Sequence, residues 1–150
     1  MAITQAMCTS FKVEILTAYH NFGTTATRAG TGADTFKIAL YTSSATLGAT
    51  TTAYSATNEV PNGSGYTTGG NTLTISQVPT STSTTAWLDF ADTTWSTATI
   101  TANGALIYNS TQSDKAVAVL AFGGDKTSTA GDFTIVFPTP DSTSAIIRIA

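Results

Sequence analysis

The chain has 150 residues, which suits one domain with a buried core. Only 10% are charged, with six Lys plus Arg against nine Asp plus Glu, where a soluble domain usually carries about 25%. Thr and Ser supply 33 and 14 residues. This excludes a highly charged disordered chain and a nucleic-acid binder resting on a basic footprint, and it disfavours a long helical bundle, because Thr and Ser are poor helix formers.

The first twenty residues carry Ile3, Met7, Phe11, Ile15 and Tyr19 at intervals of four. That spacing predicts one face of a helix over about residues 5–20, stopped by Asn21 and Gly23. Residues 23–34 hold three glycines without a period and are expected to be a loop. Phe36, Ile38 and Leu40 alternate with Lys37, Ala39 and Tyr41, which predicts a strand over about 35–42. Residues 43–57 are expected to run as an extended excursion anchored by Leu47 and Tyr54.

Pro61 to Gly65 is a dense turn signal, and Gly69-Gly70-Asn71 is expected to close a hairpin between Tyr66 and Leu73–Ile75. Residues 79–85 are Thr and Ser with one Pro and are expected to be a loop. Alternation then runs from Ala86 through Trp95 and Ile100 to Asn109. Ala116 to Phe122 is a continuous apolar run, expected to be a central strand that Gly123-Gly124-Asp125 ends. Phe133, Ile135 and Phe137 mark the next strand, and Ala145 to Ile149 the last. Together these give eight to ten short strands with one helix. The expected fold is a single mainly β domain over 1–150, an antiparallel β-sandwich or jelly roll with an N-terminal α-helix.

Few residues offer chemistry. His20 is the sole histidine and Cys8 the sole cysteine, so an internal disulfide or a histidine-based metal cluster has no residues to form it. On one helix Cys8 and His20 would stand about 18 Å apart, too far for a nucleophile–base pair. Cys8 is expected to pack as a small hydrophobe, and His20 to sit at the helix end. Asp89 and Asp92 lie between Trp87 and Trp95. Paired carboxylates beside aromatic rings fit a sugar site in part, and equally a strand ending in a turn. Asp125, Asp132 and Asp141 follow no calcium-loop spacing. Gly124-Asp125-Lys126-Thr127 lacks the Gly-Lys pair of a phosphate loop. Catalytic residues, cofactors and metal ligands are therefore not expected. Met1 to Ser10 has no charged segment followed by an apolar stretch, so neither a signal peptide nor a membrane span is expected.

Four stretches carry a resemblance: Met1 to Lys12, Thr35 to Thr42, Gly104 to Asn109, and Ala145 to Ile149. Over nearly the whole chain the sequence resembles small virion proteins of tailed bacteriophages. The resemblance implies a non-enzymatic structural protein made in the host cytoplasm and built into the virion. Its expected role is a capsid decoration or cement subunit that packs between capsomers as a homo-oligomer. The implied partners are the major capsid protein and copies of itself, without direct nucleic-acid or membrane contact. A tail, neck or fibre component with a glycan-binding surface at Trp87, Asp89, Asp92 and Trp95 is the alternative. The low charge fits crowded copies, and the face of Ile3, Met7, Phe11 and Ile15 is the expected contact, either with a neighbour or with the chain's own sheet.

Overall fold

A computed structural model describes residues 1–23 and 33–150 of the chain. Residues 24–32 of the loop expected over 23–34 lie outside the described residues. The chain is mainly β, with one short helix and two antiparallel sheets. The strands are β1 (Ala6–Met7), β2 (Phe36–Tyr41), β3 (Asn71–Thr72), β4 (Ile75–Thr82), β5 (Thr85–Phe90), β6 (Thr93–Asn109), β7 (Lys115–Ile135) and β8 (Ile147–Ile149), and the helix is α1 (Thr9–Leu16). The larger sheet has the order β1-β7-β6-β2-β3, and the smaller one β4-β5-β8.

The expected mainly β, sandwich-like fold is what the chain forms. Its core lies between the sheets. Phe36 of the larger sheet stacks on Phe22 with ring centroids 4.1 Å apart, and Phe90 of the smaller sheet reaches Phe36 at 6.0 Å. Ile38, Leu40, Leu106, Ile107, Val117 and Val119 are fully buried. Each such side chain is worth roughly 1.5–3 kcal/mol of burial. The period-two pattern of β2 and the continuous apolar run of β7 thus lie at the centre of the larger sheet.

Several expectations need correction. The helix spans only Thr9–Leu16. Ala6 and Met7 instead pair with Val119 and Ala118 as an edge strand, and Ile3 bridges Leu47. A spacing of four is even, so it suits one face of a strand as well as one face of a helix. The helix ends before Asn21 because Ala18 takes a left-handed φ of 59°. Tyr19 N–H then donates to the Glu14 carbonyl and Ala18 N–H to that of Ile15, a Schellman closure with Ala at the usual glycine position.

Residues 79–85 form the hairpin between β4 and β5 rather than a loop. Thr suits a strand, and Pro79 is tolerated because β4 is an edge. The expected hairpin at Gly69-Gly70-Asn71 does not form; Asn71 and Thr72 pair with β2. Gly123 and Gly124 bend β7 without ending it. Ala102 pairs with Lys126 and Gly104 with Ala121, so β7 carries extra residues there as a bulge. Both glycines have positive φ, 71° and 143°. The bend brings Phe122 within 6.4 Å of Phe133. Two strands of 17 and 21 residues therefore replace several short ones. The last strand is likewise shorter than expected, Ile147–Ile149.

Candidate functional site

His20 lies where the end of the helix meets the β6–β7 turn. Its Nε2 is 2.8 Å from Glu14 Oε2, and its Nδ1 is 3.0 Å from Asn109 Nδ2. The Asn109 side-chain oxygen Oδ1 accepts the backbone N–H groups of Thr111 and Gln112. That fixes Asn109 Nδ2 as a donor, to Asp34 at 2.8 Å and to His20. The network assigns the Nε2–H tautomer, with His20 donating to Glu14. Burial holds the His20 pKa below its usual value against the opposing pull of Glu14 and Asp34. Burial also works against the Glu14 charge, but Lys115 at 2.7 Å and His20 outweigh it and hold that carboxyl below its usual range. Both imidazole nitrogens are engaged, so His20 fastens the helix to the sheet.

Cys8 is fully buried, 4.0 Å from the Gly48 carbonyl, and burial with the nearby Glu14 charge pushes its thiol up to about 11. Such a thiol is not a nucleophile at neutral pH. Among the described residues no group of three or more His, Cys, Asp or Glu is placed to hold a metal ion.

A second carboxylate, Glu59, was not singled out by the sequence. It accepts the Tyr54 hydroxyl at 2.7 Å, the Tyr66 hydroxyl at 2.6 Å and Gly69 N–H at 2.7 Å. The Tyr108 hydroxyl donates to the Gly69 carbonyl, and Leu40 N–H to the Tyr66 hydroxyl. This centre ties the excursion over 43–70 to β2 and β6. The two tyrosines that bond Glu59 lie five and seven positions from it in sequence, so the residues were within one local window, but the segment has no period to show that their hydroxyls turn inward.

The four residues of the sugar alternative do not converge on one open surface. Asp89 is fully buried; its Oδ1 accepts Phe90 N–H at 2.8 Å while its Oδ2 lies buried without a well-formed hydrogen bond. Burial pushes this carboxyl up, opposed by the backbone N–H groups of Phe90 and Ile146. Trp95 is buried in the larger sheet between Tyr66 and Phe133. Trp87 is half-buried on β5, and the exposed Asp92 accepts Phe137 N–H.

The N-terminal apolar residues pack on the chain itself. Phe11 is fully buried, and Ile3, Met7 and Ile15 lie partly buried against the same core. A Cβ at Gly104 would come within 2.8 Å of Ile3 Cγ2, so Gly104 is the seat for Ile3. Val13 and Leu16 on the opposite side of the helix are exposed.

A groove of about 580 Å³ opens beside the bent half of β7. Leu120, Phe122, Phe133, Ile135 and Phe137 line it, with Lys126, Asp132 and Val136 among its other lining residues. Among the described residues no helix is long and apolar enough to cross a membrane. Comparison with protein-family models, with curated proteins and with solved structures finds no match to this chain.

Proposed function

We propose that this chain is a non-enzymatic structural subunit of a tailed-phage virion, a capsid decoration or cement protein that packs among copies and capsomers. The observation that carries the reading is where the four resembling stretches fall. Met1 to Lys12 contains β1 and the start of α1, Thr35 to Thr42 contains β2, Gly104 to Asn109 is the last third of β6, and Ala145 to Ile149 contains β8. They are strands that pair within the two sheets, so the resemblance concerns the scaffold as a whole.

The polar chemistry agrees with a scaffold role. His20, Glu14, Asp34 and Glu59 spend their hydrogen bonds inside the chain. A cement subunit needs such a stiff frame, because it acts by filling a fixed gap. The decisive measurement is the copy number and location of the chain on isolated particles, by quantitative mass spectrometry and immunogold labelling. Many copies spread over the head are expected. A few copies at the tail would replace the cement role with a tail, neck or fibre one. Absence from particles would overturn the virion reading itself.

A further inference from the structure

The outer edge of β7 is covered only at its start. β6 pairs with β7 over most of its length, whereas on the other side the segment around Ala53 bridges Lys115, Cys8 N–H donates to the Val117 carbonyl and β1 pairs with Ala118 and Val119. Among the described residues no strand pairs with that edge beyond Val119. Beyond Val119 the groove opens beside it, with aromatic and aliphatic side chains inside and two charges among its lining residues. Asp132 accepts Thr97 N–H through Oδ1 at 3.3 Å, which leaves its other oxygen for a partner. Lys126 is exposed and has no ion pair among the described residues. Val136 is 73% exposed.

We infer that this groove is the contact between two copies of the chain, clasped about a two-fold axis. The argument is charge complementarity. The groove presents one cation and one anion. A partner surface of either sign leaves one of them opposed by like charge or by nothing. A second copy turned about a two-fold axis brings its Lys126 to Asp132 and its Asp132 to Lys126, which satisfies both at once. The exposed Val136 at the groove adds apolar surface to the contact, so the aromatic interior is covered by apolar surface beside the two charges, the usual layout of a specific interface. The bulge at Gly123–Gly124 and the left-handed Ala130, φ 47°, interrupt the strand edge. They keep it from templating a continuous strand ladder, so the contact closes as a pair. The inference deepens the assembly reading by naming the partner and does not depend on the place in the virion.

Sedimentation equilibrium of the full chain tests it. The wild-type chain should form a reversible dimer. Lys126→Asp and Asp132→Lys alone should each weaken it roughly tenfold or more, since two ion pairs become two like-charge contacts. An equimolar mixture of those two variants should dimerise again, because each supplies the sign that the other lacks. The double variant should dimerise as the wild type does. Val136→Asp should leave a folded monomer by circular dichroism. A wild-type chain that stays monomeric at millimolar concentration overturns the inference. So does a dimer that both single variants leave unchanged, or a mixture that associates no better than its components. None of these results depends on where particle labelling finds the chain.

Discussion

The two halves of the β6–β7 ribbon have opposite surroundings. Near its turn, Asn109 and Lys115 are the posts to which Glu14, His20 and Asp34 are tied, and the neighbouring strand residues are buried. Beyond the bulge at Gly123–Gly124, one face is a ladder of cross-strand Thr–Thr pairs with one Asn103–Asp125 pair, while the other side opens into the apolar groove. The same two strands thus form a closed anchor at one end and an open surface at the other. The difference comes from cover. Where the helix and the N-terminal segment wrap the ribbon, charged groups can be spent inside because the chain supplies their partners. Where nothing wraps it, hydroxyls and a few charged side chains, Asp125, Lys126 and Asp132, face water and apolar rings line a gap.

Two glycines test this contrast most strongly. Gly70 and Gly123 have nearly equal φ, 67° and 71°, so an alanine meets similar backbone strain at either. A Cβ at Gly70 would come 1.8 Å from the Ile38 carbonyl oxygen, whereas at Gly123 nothing lies within 4 Å. Gly123→Ala should therefore cost about 1–2 kcal/mol, the left-handed penalty alone. Gly70→Ala should cost at least about 4 kcal/mol, because β3 must leave β2. Urea unfolding of both variants measures the difference. Equal costs would mean that the covered region tolerates rearrangement as readily as the open one.

The anchored end should also make stability depend on pH. The folded His20 pKa lies below its unfolded value, near 6.5 in model peptides. The unfolded chain then binds more protons in that window, so stability falls as pH drops below about 6.5. The slope for one proton is at most about 1.4 kcal/mol per pH unit. Glu14, also lowered, adds a second loss as pH falls through about 4.5 and below. His20→Leu should lower the stability at neutral pH and flatten the first of these slopes. Urea midpoints from pH 8 to 5 check it, and an unchanged slope in the variant would place the titration elsewhere.

These effects turn on contacts that the sequence shows unevenly. The strand around Phe36 to Tyr41 and the run Ala116 to Phe122 were legible because burial writes a direct pattern along a strand. The helix was overextended because Ile3 and Met7 keep a spacing that both element types allow. The polar anchor was not legible at all. Asp34 and Asn109 are 75 positions apart, and Glu14 and Lys115 are 101 apart, so no local window contains both partners. The groove was hidden for the same reason, since it exists only once Gly123–Gly124 folds Phe122 back towards Phe133. Asp89 and Trp95 looked like site residues because acids and indoles are common in sites. Their burial followed from the strands that they sit on.

The smallest effect belongs to the open half. Thr101 and Thr127 face each other across the ribbon with hydroxyls 3.3 Å apart, and Thr94 and Thr134 do so at 2.8 Å. Cross-strand pairs of this kind are worth about 0.2–1 kcal/mol. Thr101→Val keeps the branched Cβ that suits a strand and removes only the hydroxyl, so it should change stability by less than about 0.5 kcal/mol. It should leave the dimer constant untouched, because Thr101 does not line the β7 groove. Repeating the substitution along the ladder should lower solubility well before it lowers the unfolding midpoint, since each step adds apolar area to a face with few charges to keep copies apart. If a single Thr101→Val instead shifted the sedimentation equilibrium, the hydroxyl face itself would be a contact surface. The scarcity of charge would then serve two interfaces of the ribbon.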